Sequence, residues 1–306
     1  RGTFVTEKVL ECPSSGNKKT IPSSTPFLRL AIMSLHCRYS RVWSKQSAFF
    51  EIGSGFTEAA AEEAISLEYL GDNTLDREIL QRRFEKNPPS VLICLGNPAF
   101  HLTAIGEAQQ HQIPILLAGI RTPDYDFPCI AEESVGATRM GVRKLYELGH
   151  RRIALVQAMG TGGEWVFDRY RGYCLGMRQC GLDTFSRLVY WMEPTWTGGE
   201  AGLMEFFHRE KPTAAIFGSL LISTRLPRCI QGFGLRIPED LSILAFDDDR
   251  MLDSLGNLQL ATIQLPHRRI GRLLAEYGKK LACGESVPKE TLLPCTFGEG
   301  NSLRTY

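Results

Sequence analysis

Short apolar runs that alternate with helix-patterned stretches constrain this chain more than any other feature. LRLAIMSL (28–35), ISLEYL (65–70), SVLICLG (90–96) and IPILLAG (113–119) read as buried strands. EILQRRFEK (78–86) and FHLTAIGEAQQHQ (100–112) read as helices between them. Strand, helix, strand at this spacing makes right-handed βαβ units, and hence a parallel sheet with helices on its faces. A second series follows in RRIALVQA (151–158), RLVYWM (187–192), TAAIFG (213–218) and LSILAF (241–246). One helix is expected from Ser134, as its N-cap, to Leu148, with Gly149 as the stop. Another runs from Arg169 to Cys180, and a third from His267 to Cys283. In the third, Ile270, Leu273, Leu274, Tyr277 and Leu281 fall on one buried face. Two such series predict an α/β protein of two lobes, each a parallel sheet flanked by helices. Sheets of this kind take ligands at the carboxyl ends of their strands, and a cleft between lobes is the natural site.

Charge and cysteine usage narrow the function classes. With 35 Lys and Arg against 34 Asp and Glu, the net charge of +1 gives no global footprint for nucleic acid. Nine cysteines without a CxxC pair read as buried thiols in a reducing cytoplasm rather than as a disulfide framework or zinc site. No apolar stretch approaches the length of a membrane span. The chain has no GxGxxG after a strand, no P-loop, no GxSxG elbow and no Cys–His pair by motif. An enzyme is therefore not expected, nor is a cofactor or a metal.

Several phrases carry more. ELGHRRIALV (147–156), DRYRGY (168–173), KPTAAIF (211–217), GLRIPEDLSILAFDD (234–248), LATIQLPHRRIG (260–271) and LLPCTF (292–297) follow one another in fixed order. Together they resemble the effector-binding domain of the lactose/galactose-repressor (LacI/GalR) family, from about residue 28 to the end. The resemblance implies a two-lobed, periplasmic-binding-protein-like (type I) fold. It places residues 28–149 plus 266–285 in an N-terminal lobe, and 150–265 plus 286–306 in a C-terminal lobe. It also implies a small polar effector, such as a sugar, held by Arg169 and Asp247. A planar five-donor fork and an acceptor carboxylate suit hydroxyls. The bland alternatives are a cap for Asp247 and a salt bridge for Arg169. Trp43 and Trp165 offer flat apolar faces to a sugar ring, or ordinary packing at a lobe edge. Glu132 and Glu133 lie near the first lobe crossing and either face the cleft or form a solvated turn.

The chain also departs from that pattern. Ser219 and Leu220 stand where the family carries Asn-Asp, Leu265 stands where it carries Gln, and Pro227 interrupts an expected helix. Ser219 keeps a shorter hydroxyl, and His267 is either a replacement donor or a surface residue at a helix start. Upstream, RGTFVTE resembles the end of a gluconate-repressor-type (GntR) winged helix, with residues 1–6 as the remnant of its wing. Ser- and Pro-rich residues 7–27 read as a linker. These likenesses imply the sensing and dimerising part of a cytoplasmic transcription regulator, a homodimer that reaches operator DNA through a domain before Arg1. A solute-binding protein of a transporter is the alternative, because the same fold serves that role.

Overall fold

The computed structural model describes residues 28–34, 48–63, 65–71, 77–119, 125–158, 164–184, 186–192, 199–218, 230, 232, 234–246 and 257–306. The readings of residues 1–6 as a wing and 7–27 as a linker lie outside them.

The chain divides into two compact units. The first runs through Ala131 and resumes over His267–Leu293. The second takes Glu132–Pro266 and Pro294–Tyr306. Each unit holds one six-stranded sheet.

In the first unit the strands are β1 (Arg29–Ser34), β2 (Ser66–Gly71), β3 (Val91–Leu95), β4 (Ile115–Ala118), β5 (Cys129–Glu132) and β11 (Glu290–Leu293). Their order is β11-β5-β4-β3-β1-β2. The pairs from β2 through β5 are parallel. Both β3 and β4 are buried along their whole length, which is why SVLICLG and IPILLAG show no alternation. Helices α1 (Ala48–Glu62), α2 (Arg77–Lys86), α3 (Leu102–Gln110) and α7 (His267–Ala282) complete the unit. Cys94, enclosed in β3, has its thiol pushed up to about 12 by burial, so it is an inert core group.

The second unit repeats the plan. Its strands are β6 (Ile153–Ala158), β7 (Val189–Met192), β8 (Ala214–Phe217), β9 (Ser242–Phe246), β10 (Ala261–Gln264) and β12 (Thr296–Gly298). They lie in the order β12-β10-β9-β8-β6-β7, with β12 antiparallel to β10. Its described helices include α4 (Ser134–Glu147), α5 (Glu164–Gln179) and α6 (Gly199–Glu210). In both sheets the first strand lies between the second and the third. The chain order therefore reverses at β1/β3 in one sheet and at β6/β8 in the other.

Four sequence boundaries shift. The first crossing falls after Ala131 rather than at 149, because Ala137, Val142 and Leu145 of α4 bury into the core of the second sheet. The last falls after Leu293 rather than at 285, because β11 lies beside β5, with the Cys129 amide donating to the Lys289 carbonyl at 2.9 Å. Ser134 is not the N-cap of α4. Glu133 is, its carboxylate accepting from the Gly136 amide at 2.9 Å. Helix α5 starts at Glu164, five residues before the expected Arg169, which puts that guanidinium inside the helix.

Glycines let paired helices close up in each unit. A Cβ on Gly55 would overlap the Arg268 carbonyl, and one on Gly271 would overlap the Ile52 carbonyl, so α1 and α7 meet backbone to backbone. Along the same seam Arg268 pairs with Glu51 (3.4 Å), Arg272 with Glu62 (2.7 Å) and Lys279 with Glu63. These exposed pairs are worth little individually. In the second unit Gly172 of α5 lies against the Val135 carbonyl of α4.

Residues 299–306 close the far end of the second sheet. Ser302 Oγ donates to the Ile243 carbonyl and accepts from the Ala261 amide, and the Tyr306 amide donates to the Leu148 carbonyl. His150 lies within this closure, with Nδ1 3.0 Å from Thr213 Oγ1 and Nε2 3.1 Å from the Arg304 carbonyl.

Two predictions follow from this packing. Gly271→Ala places a methyl against backbone that cannot rotate away, so it lowers stability by roughly 1–3 kcal/mol. A surface Gly232→Ala, with open space around its Cβ, serves as the control. An unchanged urea midpoint in Gly271→Ala would refute the tight seam. The second prediction concerns pH. Burial holds the His150 imidazole below its usual 6.5, so the fold prefers the neutral ring. The unfolded chain then binds the extra proton, and stability falls as pH drops below about 6.5, levelling off once the folded-state value is passed. Urea midpoints between pH 8 and pH 5 are expected to decline less in His150→Gln than in the parent chain.

Candidate functional site

At the carboxyl end of the second sheet, polar side chains gather where the chain order reverses. Arg169 projects from the first turns of α5 and is 3% exposed. A guanidinium cannot shed its proton to escape burial, so it needs acceptors. Its Nη1 donates to the Gly218 carbonyl, one residue past the end of β8. Its Nη2 lies 3.5 Å from Glu132 Oε1. The same Glu132 oxygen accepts from Ser134 Oγ at 3.4 Å. The guanidinium carbon is also 4.0 Å from the ring centre of Phe246, the last residue of β9, and 4.5 Å from that of Trp165, one turn earlier on α5. Both distances are within cation–π range.

Glu132 is 6% exposed, so the solvated-turn alternative is excluded for it. Glu133 is spent on capping α4. Arg169, Trp165 and Glu132 are thus brought together by the structure. Of the other expected site residues, Trp43, Ser219 and Asp247 lie outside the described residues, as do Leu220 and Pro227. Leu265 is half-buried against the second core and presents no polar group. His267 is buried at the start of α7 and is therefore not a surface residue.

Three members of the cluster escaped the sequence reading. Phe246 looked like the last core residue of a strand. Gly218 looked like a strand end. Gln157 sits at the carboxyl end of β6, wholly buried, and its Nε2 donates to the Val166 carbonyl in the first turn of α5 at 3.1 Å. A signal for it existed. Ile153 and Leu155 share one face of β6, and the next residue on that face is an amide instead of a hydrocarbon.

Chemically the cluster offers guanidinium donors, carboxylate acceptors and two aromatic faces, with the two charges balancing. Such a set binds and orients. Among the described residues no group of three His, Cys, Asp or Glu side chains is placed to hold a metal ion. Among those residues, too, no helix is long and apolar enough to cross a membrane.

The chain is similar to known proteins. Residues 142–303 match the family model described as a periplasmic binding protein-like domain. The HTH-type transcriptional repressor CytR of Escherichia coli strain K12 is 28% identical over 170 residues, 54% of this chain and 48% of that protein. The arabinose metabolism transcriptional repressor of Geobacillus stearothermophilus is 29% identical over 182 residues, 58% of this chain and 49% of that one. The chain thus spans about half the length of these curated relatives. Among solved structures, a transcriptional regulator CelR–cellobiose complex superposes with a TM-score of 0.74 at 19% identity, over 91% of this chain and 86% of that one. At that identity the likeness establishes the fold.

The buried pair carries its own prediction. Glu132→Ala leaves Arg169 charged and short of an acceptor, which costs on the order of 3 kcal/mol. The double change Glu132→Ala with Arg169→Met removes both charges and costs less than the sum of the single changes. Additive losses in a denaturation cycle would show that the two groups do not interact.

Proposed function

Since the chain belongs to the periplasmic binding protein-like domain family, we propose that it is the ligand-sensing and dimerising part of a cytoplasmic transcription regulator, a repressor. A small neutral polyhydroxy compound, such as a sugar, is its effector, and binding of that effector alters operator binding. One observation carries the choice of ligand class: the Arg169 guanidinium already faces the Glu132 carboxylate. A sugar acid or phosphate ester would bring a second anion beside Glu132 and meet repulsion, whereas hydroxyls can accept from Arg169 and donate to Glu132 together. Trp165 supplies an apolar face for a sugar ring, and Asp247, Trp43 and Ser219 complete the proposed ligand set. The curated relatives are named as repressors, and the cellobiose complex of CelR supports a sugar as the class of effector. The likeness of RGTFVTE to the end of a GntR-type winged helix is the ground for proposing that operator contact is made through such a domain.

The test is calorimetric titration with three panels: neutral mono- and disaccharides, sugar acids, and sugar phosphates. A neutral sugar is expected to bind best, and Arg169→Ala to weaken it by roughly 10- to 100-fold, the worth of one charge-assisted hydrogen bond. Preferential binding of the acids or phosphates would overturn the neutral-ligand reading. Unchanged affinity in Arg169→Ala would remove that residue from the site.

A further inference from the structure

Helix α5 is tied to strand β6 at two heights. Near the start of the strand, the Tyr173 hydroxyl donates to the Ile153 carbonyl at 2.8 Å. Near its end, Gln157 Nε2 donates to the Val166 carbonyl at 3.1 Å. Strand and helix run in opposite directions, and the spacings agree. Four strand residues rise roughly 13 Å and seven helical residues roughly 10–11 Å. With both ties in place, α5 can neither slide by a turn, about 5.4 Å, nor roll about its axis.

The second tie lies under the candidate site. Trp165 precedes Val166 directly, and Arg169 follows it by three residues on the same helix. Gln157 also constrains the acceptor of Arg169. A Cβ on Gly218 would overlap the Gln157 side-chain amide, so β8 approaches this closely only because residue 218 is glycine. The glycine's carbonyl is then the one that receives Arg169 Nη1. The remaining amide oxygen, Gln157 Oε1, is buried and has no hydrogen-bond partner among the described residues. An unsatisfied acceptor in that position opposes folding by about 1–3 kcal/mol. A leucine of similar size would avoid that penalty, so packing does not explain an amide here.

We propose that Gln157 is a positioning residue for the ligand site. Its amide sets the height of the first turn of α5, and with it the reach of Trp165 to the Arg169 guanidinium and of Arg169 to Gly218. This rests on the reading of Arg169 and Trp165 as ligand contacts, but its primary test needs no ligand.

In a chain with Trp43, Trp191 and Trp196 changed to Phe, Trp165 is the sole indole. Gln157→Leu keeps the volume and removes the tie. Trp165 emission is then expected to move to the red, and its quenching by acrylamide to rise roughly twofold, because the first turn of α5 is freed. Tyr173→Phe cuts the other tie and serves as the control. It should lower stability without changing Trp165, since the tie beneath the indole persists. Where a neutral sugar has been found to bind, Gln157→Leu should weaken it roughly tenfold, the effect of about 1.4 kcal/mol. A mutant cycle keeps the idea testable if Gln157→Leu folds poorly. Gly218→Ala should disturb Trp165 in the parent chain and have little further effect in Gln157→Ala, where the overlapping amide is gone. Unchanged Trp165 emission and quenching in a folded Gln157→Leu chain, or equal Gly218→Ala effects in both backgrounds, would overturn the proposal. Absence of any sugar binding would count against the effector reading instead and leave the fluorescence result to decide on Gln157.

Discussion

A guanidinium inside a protein stays charged, and the surroundings of Arg169 are organised by that fact. Its described partners come from four places in the sequence: Glu132 at the first crossing, Trp165 on α5, Gly218 after β8 and Phe246 at the end of β9, while Gln157 on β6 holds the turn of α5 between Trp165 and Arg169. Only a parallel arrangement brings the carboxyl ends of β6, β8 and β9 to one edge, and only the reversal of chain order leaves room there for a side chain from α5. The sheet thus supplies the place, and the buried charge determines what must occupy it.

Much of this could be read from the sequence, because the physical signals were repeated. The apolar runs that became β3, β4, β8 and β9 are buried on both faces, so their composition alone gave them away. The one-sided periodicity of Ile270, Leu274 and Tyr277 placed α7 within a residue of its ends. The place of Arg169 in DRYRGY and of Glu132 near a crossing marked both as candidates, and the structure sets the two side chains against each other. The start of α5 was misread because Glu164 to Asp168 lack an apolar period that separates helix from loop. The crossings were misplaced for a different reason. A helix such as α4 shows which face is buried but not which sheet buries it, and only contacts with Leu244, Ile216 and Ile263 reveal that.

The missed residues share a cause. Gly218, Phe246 and Gln157 matter through what lies across the sheet from them, and no local pattern encodes a cross-strand neighbour. Gln157 came nearest to visibility as a polar interruption on an apolar strand face. Such an interruption marks a structural demand before it marks a function. Here the demand is the position of a helix whose first turns carry an indole and the buried guanidinium.

Neither unit is built from one continuous stretch of chain. Helix α1 meets α7 through bare backbone, with Glu51 and Arg268 lying 217 positions apart. The second sheet gains β12 and the Ser302 closure only from Pro294–Tyr306. A ribosome extends a chain by about 5–20 residues per second. The first half therefore spends on the order of ten seconds with one side of α1 waiting for its partner while the second unit is still being made. Until His267–Ala282 has been made, the apolar face of α1 that packs against α7 stays open to solvent.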